Sequence, residues 1–526
     1  MSLSVREDRL VAVNRIGENT LQSVLQGTVE LPGEAAPVER IVWVKAVPTV
    51  ESYTADQDRV YIQGVIDLAM VYVPETLEGE PAGLRRVEWP GALPFDHHVE
   101  VIGAEPDMIC EAEASVLVCE WDLRGGQYSL DVELILASTA RVFQRQEYLV
   151  ISDVNAAKPV KLSADGLVLR PLSRGLELEV HKDVSGILEL PEDAPSINTI
   201  LDLGAVLRVT AHQVKEGAVT LEGMADLELI YEARDFAVHQ LTLANALPFE
   251  AIFEKKAIKP EMALKHSLRQ VCEGYAVNDG RGLRAELGVR GLLRLEKPQA
   301  VQVLTEITAA GGEVQVRKEV IGLESFVNEK EQQGLVRGLI EIDQRFPPLR
   351  ELLSCRATAH WTDYEVDDDR LALEGVLDVE LYYLAHSEDD VKPLYRAVFP
   401  EALSFQHTVV VPGLEPGMQP QIKLSVSQIQ PDLINRETVE VALMVRSAVT
   451  ATEYLELEVA VEAVQVAPAG DDPPTLTYVF VQPGDSIWKL ARQYHTTEEE
   501  IFRSNPKLQD DPGLLKPGDR LQIPRR

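Results

Sequence analysis

Residues 60–72 of the chain read VYIQGVIDLAMVY, and this stretch recurs as VTLEGMADLELIY at 219–231 and as LALEGVLDVELYY at 371–383. In each copy every second residue is apolar and polar residues fall between, which is typical of a half-buried β-strand. At about 3.3 Å per residue such a strand is roughly 40 Å long, far longer than usual. We expect the central Gly64, Gly223 and Gly375 to mark a bulge or bend in it.

The strand belongs to a longer repeat. Its Gly and Asp positions are separated by 159 and then 152 residues, and further on ALPF at 92–95 recurs as ALPF at 246–249 and ALSF at 402–405. A period near 155 residues indicates three copies of one module. The predicted divisions are three β modules at 1–165, 166–320 and 321–463, a linker at 464–474 and a C-terminal domain at 475–526.

The neighbouring sequence predicts hairpins. Residues 207–214 lead through the turn 215–217 into the second copy, and further turn signals occur at 124–126, 278–280 and 433–436. We therefore expect a mainly β protein built from antiparallel β-sandwich-like modules. Apolar residues with helical spacing at 195–201 and 348–353 predict a short helix at one end of each sheet.

Bulk composition limits the function. The net charge is −35, and because Lys and Arg outnumber Asp and Glu by eight to seven from Thr475 onward, the preceding residues carry −36. Such a surface disfavours nucleic acids and anionic membranes and permits a basic or metal-bridged partner. No apolar run is long enough to insert into a membrane. The four cysteines lack C-x-x-C spacing, and we interpret them as buried, reduced thiols.

The segment from Tyr478 to Trp488 reads YVFVQPGDSIW and the segment from Leu515 to Pro524 reads LKPGDRLQIP. These C-terminal residues resemble a LysM module, a small glycan-binding unit. We predict a strand at 478–481, a helix at 486–494 capped by Asp485 or Ser486, a second helix opened by the capping box Thr497/Glu500, and a return strand at 521–523. The order is βααβ, a small α+β domain.

The triplicated module, the lead-in GENT at 17–20 and the terminal LysM together resemble the SPOCS-domain LysM proteins of endospore-forming bacteria, which act in spore-coat assembly. One departure is that LPGE at 31–34 and LPED at 190–193 stand where the family tends to have Pro-Asp pairs. The chain starts MSLSVRED without an apolar signal segment. The resemblance accounts for this, since coat proteins are made in the mother-cell cytosol; it implies a final location at the boundary of spore coat and cortex.

The LysM resemblance implies a shallow groove for N-acetylated sugars between two loops. Turns that contain Gly and Pro expose backbone N–H and C=O groups, which such sugars need as partners. An alternative is that these residues serve only turns and caps. For Trp488 we favour core packing over a sugar platform. The candidate glycan- or partner-binding residues are Gly484, Asp485, Ser486, Ile487, Asn505, Pro506, Leu514, Leu515, Pro517 and Gly518.

Other chemistry-bearing residues have plainer interpretations. The repeated Asp67, Asp226 and Asp378 are expected to face solvent or bond to a turn, with metal binding as the alternative. Asp367–Asp369 is expected to be a solvated hairpin turn, with an opportunistic calcium contact as the alternative. His97 and His98 could suggest a metal pair, but adjacent strand residues point to opposite faces and no second ligand cluster lies nearby. We therefore expect both to be surface histidines. No catalytic motif recurs and no phosphate loop follows a strand, so we expect no enzyme, no cofactor and no metal.

These observations favour a non-enzymatic structural adaptor of the spore envelope. Its expected partner is peptidoglycan or another N-acetylated glycan, or a spore-coat morphogenetic ATPase, and self-assembly is a further possibility. A single shallow groove should bind weakly and gain from multiple display. The alternatives are a component of a phage tail or injection machine and a peptidoglycan hydrolase targeted by LysM.

Overall fold

The structure is a computed structural model that describes residues 3–33, 35–75, 83–124, 128–156, 161–172, 175–297, 299–310, 313–343, 345–386, 393–466, 475–494, 496–508 and 515–525. The described residues are mainly β-strand, and the two α-helices and one 3-10 helix all lie near the C-terminus. This confirms the predicted fold class. In chain order the elements form a body of three modules followed by a small α+β domain.

Each module contains two three-stranded antiparallel sheets. Module 1 has β2-β3-β4 and β1-β6-β5, module 2 has β9-β10-β11 and β8-β13-β12, and module 3 has β16-β17-β18 and β15-β20-β19. The strands of module 1 are β1 (Leu3–Glu30), β2 (Val38–Asp56), β3 (Arg59–Pro74), β4 (Arg85–Glu100), β5 (Ile109–Arg124) and β6 (Ser129–Ala156). Those of module 2 are β7 (Lys161–Leu169), β8 (Leu176–Glu189), β9 (Ile197–Lys215), β10 (Ala218–Ala233), β11 (Val238–Glu254), β12 (Ala263–Asn278), β13 (Gly282–Glu296) and β14 (Val301–Ala310). Those of module 3 are β15 (Glu313–Glu341), β16 (Leu349–Asp367), β17 (Arg370–Ala385), β18 (Leu394–Val410), β19 (Gln421–Asn435) and β20 (Thr438–Val466).

The C-terminal domain has the predicted βααβ order. Its elements are β21 (Thr475–Phe480), α1 (Ile487–Gln493), α2 (Glu498–Ser504), a 3-10 helix (Pro506–Leu508) and β22 (Arg520–Arg525). The two strands pair antiparallel, and both helices pack on one side of them over a core that includes Leu490, Ile501 and Ile523. No described helix in the protein has the length and apolar character needed to cross a membrane.

The repeated stretch forms the central strand of one sheet in every module, namely β3, β10 and β17. A bulge is present beside its glycine, but on the neighbouring strand. Opposite Gly64, Gly223 and Gly375 the neighbouring strand carries a bulge, with Glu51, Thr210 and Thr362 as the extra residues. The predicted hairpin turns at 215–217 and 278–280 are confirmed by the β9–β10 and β12–β13 pairings, whereas 125–127 lie outside the described residues.

The repeated ALPF motif fills space left by glycines. In module 2 its Phe249 lies over Gly223 of the adjacent strand, and its Leu247 lies over Gly186 of the opposite sheet. The same two contacts recur in modules 1 and 3, where Phe95 and Phe405 cover Gly64 and Gly375 while Leu93 and Leu403 cover Gly27 and Gly338. The motif and the glycines are therefore complementary parts of one packing arrangement.

Replacing a covered glycine should destabilise its module. A Cβ at Gly375 would lie 2.6 Å from Phe405 Cε1 and 2.6 Å from the backbone oxygen of His360, closer than real atoms approach. We expect Gly375→Ala to lower the free energy of unfolding by about 1–3 kcal/mol, as overpacking does. Urea unfolding measures this, and Gly33→Ala, whose Cβ would meet nothing within 4 Å, is the matched control. An equal effect of the two substitutions would contradict the packing argument.

The short helices predicted at 195–201 and 348–353 are wrong, because these residues lie largely in β9 and β16. Two bulges near the start of each strand insert extra residues, Asn198 and Leu201 in β9 and Arg350 and Leu353 in β16. Each bulge shifts the side-chain alternation by one position, so buried residues such as Ile197 and Ile200 recur at a spacing of three. This spacing imitates a helix in the sequence.

The same bulges help to join the modules. The bulged Val42 and Leu201 are buried and Leu353 is partly buried, and all three belong to a cluster shared by the three modules, in which Trp43 meets Tyr382 edge-on at 5.3 Å. Contacts close a ring, since β4 touches β9, β11 touches β16 and β18 touches β2. The modules are thus arranged around a pseudo-threefold axis within one chain.

A second junction lies where the long strands extend beyond the sandwiches. Residues 3–15 pair with 143–156, β7 pairs with β14, and 313–326 pair with 452–466. These three ribbons pack together on apolar residues such as Leu10, Val303 and Ile321, and we call them the stalk. Asn14 crosslinks two of them, because its Nδ2 donates to Gly322 O (2.9 Å) and its Oδ1 accepts from Glu324 N (2.9 Å).

The strand bounds bear on the division into domains. The predicted boundaries at 165/166 and 320/321 fall inside β7 and β15, and that at 463/464 falls inside β20. We propose boundaries between residues 156 and 161, between 310 and 313, and after Val466, because these leave every strand of the body whole. Most of the predicted linker, residues 467–474, lies outside the described part of the chain.

Candidate functional site

The LysM-like segment contains two matching turns side by side. In Gln482-Pro483-Gly484-Asp485 the Asp485 N–H donates to Gln482 O (3.1 Å) and its Oδ2 accepts from Gln482 N (2.8 Å). In the second turn, residues 516–519, the Asp519 N–H donates to Lys516 O (3.0 Å) and its Oδ2 accepts from Lys516 N (2.9 Å). Both turns contain the sequence Pro-Gly-Asp and are closed by the same two hydrogen bonds.

The third position of both turns favours glycine, with Asn the best tolerated of the residues that have a Cβ. Gly484 has a φ of 90° and Gly518 a φ of 96°, a conformation that residues with a Cβ rarely adopt. Backbone bonds hold the turns together, since Gly518 N donates to Val481 O (2.8 Å) and Val481 N donates to Asp519 O (3.0 Å). A Cβ on either glycine would meet nothing within 4 Å, so the turn backbone faces open space.

The capping predictions are confirmed. Ser486 is the N-cap of α1 and accepts from Lys489 N, and Thr497 with Glu500 forms a capping box on α2. The side chain of Ile487 is buried in the LysM core, so this residue presents only backbone to the turn region. Ser486 therefore orients the start of α1 beside the first turn.

Asn505 links α2 to β22. Its Nδ2 donates to Ile501 O (2.7 Å) and Gln522 O (2.5 Å), while its Oδ1 accepts from Gln522 N (2.8 Å). The amide is thus engaged within the domain, which favours the alternative that this candidate serves the fold. Pro506 is exposed at the start of the 3-10 helix and Leu515 packs partly against the core, whereas Leu514 lies outside the described residues.

Trp488 does not pack in the core, contrary to our expectation. Its side chain is 59% exposed and the guanidinium of Arg492 lies 5.7 Å from its ring. Two further exposed aromatic residues, Tyr478 and Phe480, were missed in the sequence. The sequence signal for their exposure was their alternation with Val479 and Val481, which face the core. In a two-stranded sheet covered by helices on one side, every second residue faces the uncovered side.

The three repeated aspartates were expected to face solvent or bond to a turn, and each instead accepts a backbone N–H from a bulge of the next strand. Asp67 Oδ1 accepts from Gly91 N (2.7 Å), Asp226 Oδ1 from Asn245 N (2.6 Å), and Asp378 Oδ1 from Glu401 N (2.8 Å). Each donor has a positive φ within a bulge of the next strand. Hydrogen bonds from Arg208 lower the pKa of Asp226. These carboxylates therefore fix strand geometry.

The described structure gives the acidic residues 368–369 and the cysteines no role beyond the fold. Residues 368–369 form the β16–β17 turn, and among the described residues no cluster of His, Cys, Asp or Glu is placed to hold a metal ion. The thiols of Cys110, Cys119 and Cys355 are only partly buried, and burial raises the pKa of Cys119 to about 11. The side chain of Cys272 lies outside the described part.

His97 is buried, so the expected surface position is wrong for this residue and holds only for the exposed His98. Within module 1 its Nε2 bonds Ser23 Oγ (2.7 Å) and its Nδ1 bonds Ser138 Oγ (2.8 Å), which connects the two sheets. His407 occupies the equivalent position in module 3 and bonds Ser447 Oγ (3.0 Å). Burial lowers the pKa of both histidines.

These histidines should make the body acid-labile. A folded pKa below the unfolded value of about 6.5 means that the unfolded chain binds more protons in that window, so stability falls as pH drops from about 6.5 toward the folded pKa. We expect the double variant His97→Gln/His407→Gln to lose less stability between pH 7.5 and 5.5 than the wild type. Urea midpoints at the two pH values measure this. The exposed pair His98→Gln/His360→Gln is the control, and an identical pH response of all three proteins would refute the assignment.

Comparison with known families agrees with this geometry. The SipL, SPOCS domain family matches residues 37–123 and 348–434, which cover β2–β5 and β16–β19 at equivalent places in modules 1 and 3. The LysM domain family matches residues 480–524, including both Pro-Gly-Asp turns. No curated protein and no solved structure matches the chain.

Both families are of binding or adaptor type. A LysM domain indicates binding to peptidoglycan or another glycan, and SPOCS domains suggest a function related to sporulation. With two SPOCS-domain segments followed by a LysM domain, the chain matches a SPOCS-domain LysM protein.

Proposed function

We propose that the chain is a non-enzymatic adaptor of the bacterial spore envelope, whose three-module body is tethered through its LysM domain to cortex peptidoglycan or to a coat morphogenetic partner such as an ATPase. The observation that carries this proposal is the pair of Pro-Gly-Asp turns with open space before Gly484 and Gly518. Its proposed location is the boundary of coat and cortex, after synthesis in the mother cell.

The turns suit the N-acetyl group of a sugar. Such a group needs one backbone donor, one backbone acceptor and room for a methyl group. Because each turn uses its own Asp side chain to satisfy an inward N–H, the turn conformation is fixed before any ligand arrives. Less ordering is then required on binding, which favours affinity.

The body suits a mechanical role. Its modules are joined at two places, the axial cluster around Trp43 and the stalk, so the body should transmit force as a unit. The stalk is the part of the body that precedes the LysM domain in the chain, because β20 ends at Val466, which pairs with Glu313 in the third ribbon. A load on the LysM domain would therefore enter the body along the stalk.

Tethering is tested by cosedimentation of the full chain, the chain truncated after Pro474 and the isolated LysM domain. Each protein is mixed with purified cortex peptidoglycan and, separately, with spore-coat extract. We expect the full chain and the LysM domain to bind at least one target and the truncated chain to bind neither. Equal binding by the truncated chain would show that the LysM domain is not the tether.

A substitution in the turns should separate binding from folding. Asn tolerates a left-handed backbone better than other residues with a Cβ, and the space before both glycines is open. We expect Gly484→Asn/Gly518→Asn to fold, to obstruct the turns and to weaken peptidoglycan binding by about tenfold or more, equivalent to about 1.4 kcal/mol. Cosedimentation and thermal unfolding measure the two properties. The matched control is Gly33→Asn in the body, and unchanged binding by a folded turn variant would place the glycan elsewhere.

A further inference from the structure

The LysM domain exposes a second surface, the uncovered side of its two-stranded sheet. Tyr478 and Phe480 of β21 are 50% and 59% exposed, and Arg520 and Gln522 lie opposite them on β22. The Arg520 guanidinium stacks on Tyr478 at 4.2 Å, and Gln522 Nε2 donates to Tyr478 Oη (2.5 Å). We call these four residues the LysM sheet face. It is aromatic and carries one positive charge.

The stalk exposes a surface of the opposite charge. On the outer side of the third ribbon, Val320 and Tyr454 are 58% and 64% exposed, and Glu456 and Glu458 are exposed between them. We call these four residues the acidic ribbon face. The ribbon's inner residues, including Ile321 and Leu457, pack into the stalk core, so the outer side is free of the body's own packing.

The two faces are complementary. Each combines two exposed apolar side chains with charge, and within the described residues neither Arg520 nor Glu456 and Glu458 form an ion pair. The body before Thr475 carries −36 and the residues from Thr475 onward carry +1, so the LysM domain is the part of a second copy that a body repels least. Exposed aromatic residues beside an arginine are typical of the energetic centre of an interface.

We propose that the LysM sheet face of one copy of this chain docks on the acidic ribbon face of a second copy. Both faces are exposed within one and the same chain, so they are not joined to each other there. The module-to-module surfaces are already used in the closed ring and are not available to a second copy. Because the two faces differ, the contact is heterologous and propagates from copy to copy. Assembly would present many paired turns to the glycan at once.

The proposal is tested by sedimentation velocity of the full chain over a concentration series. We expect concentration-dependent association that Phe480→Ser and Arg520→Glu each weaken by tenfold or more. Restoration by the charge exchange Arg520→Glu/Glu458→Arg would identify the two faces as partners. Trp488→Ser and Leu335→Ser, which remove equally exposed apolar side chains elsewhere on the LysM domain and body, should leave association unchanged.

Three results would overturn the proposal. The first is a wild-type chain that stays monomeric throughout the concentration series. The second is a change of molecular shape that does not depend on concentration, which would mean that the LysM domain docks on the body of its own chain. The third is loss of peptidoglycan cosedimentation by Phe480→Ser and Arg520→Glu without any loss of association, which would assign the face to glycan. Thermal unfolding of each variant shows that its LysM domain is folded. Failure of this inference leaves the tether proposal intact, because the turn variant tests that separately.

Discussion

Asp202→Ala should lower the free energy of unfolding of the body by about 3–5 kcal/mol, the cost of removing one partner from a buried ionic group. Asp202 is 3% exposed and lies between cations of the other two modules. Its Oδ1 accepts from Lys45 Nζ of module 1 (2.6 Å) and its Oδ2 from Arg356 Nη2 of module 3 (2.7 Å). Removing the carboxylate leaves two cations facing each other in a poorly hydrated place.

The protonation of Asp202 follows from the same geometry. Burial alone would raise its pKa, but attraction and hydrogen bonds from Lys45 and Arg356 lower it to about 2. The unfolded value is about 3.9, so the stabilisation is complete above that pH and is lost as the pH falls toward 2. Burial lowers the pKa of Lys45, and attraction to Asp202 opposes that shift, so the carboxylate between Lys45 and Arg356 joins all three modules in one interaction.

Urea unfolding at pH 7.5 measures the effect, with the exposed Asp193→Ala as control. The triple variant Lys45→Met/Asp202→Leu/Arg356→Met, which replaces the ionic group by apolar residues of similar size, should recover most of the lost stability. If Asp202→Ala cost no more than the control, the ionic group would not hold the modules together. If Asp202→Ala were destabilising and the triple variant did not recover stability, charged residues would be required at this junction of the three modules.

The interior of each module was largely predictable from the sequence. Alternation in residues 60–72 identifies a half-buried strand, and turn residues such as Asp279 and Gly280 mark a hairpin, because both signals are local. The contacts between modules were not predicted. The strand β3 ends in Met70-Val71-Tyr72-Val73, which is buried on both faces. Met70 and Tyr72 pack in the core of module 1, whereas Val71 and Val73 pack in the cluster shared by the three modules. A run of apolar residues shows that both faces are covered but not by what.

Bulges explain the largest error. In β9 they move Leu201 to the outer face and space Ile197 and Ile200 by three, so a strand feature that builds the ring imitates a helix. For the LysM domain, capping and turn residues were predictable because their bonds are local, as with Ser486 and Asp485. The role of Asn505 was not, since its partner Gln522 lies on a different element.

Trp43→Ala is the second substitution for which we expect a large effect, again about 3–5 kcal/mol, because a fully buried aromatic side chain is removed and a cavity remains. Trp43 is 1% exposed and meets Tyr382 of module 3 with the ring planes at 89°. The control is Trp361→Ala, since Trp361 is 48% exposed and should cost within about 0.5 kcal/mol, as surface substitutions usually do.

The strands in which Trp43→Ala accelerates hydrogen exchange distinguish a ring of joined modules from three independent sandwiches. Trp43, Asp202 and Ser354 occupy equivalent positions in the three modules, yet Trp43 packs across the axis on module 3 while Asp202 pairs with modules 1 and 3. Hydrogen exchange in Trp43→Ala should therefore accelerate in β17 of module 3 as well as in β2 of module 1. Acceleration confined to module 1 would show that the modules unfold separately. Such a result would remove the rigid body on which the tether proposal depends, because force from the LysM domain could then open one module at a time.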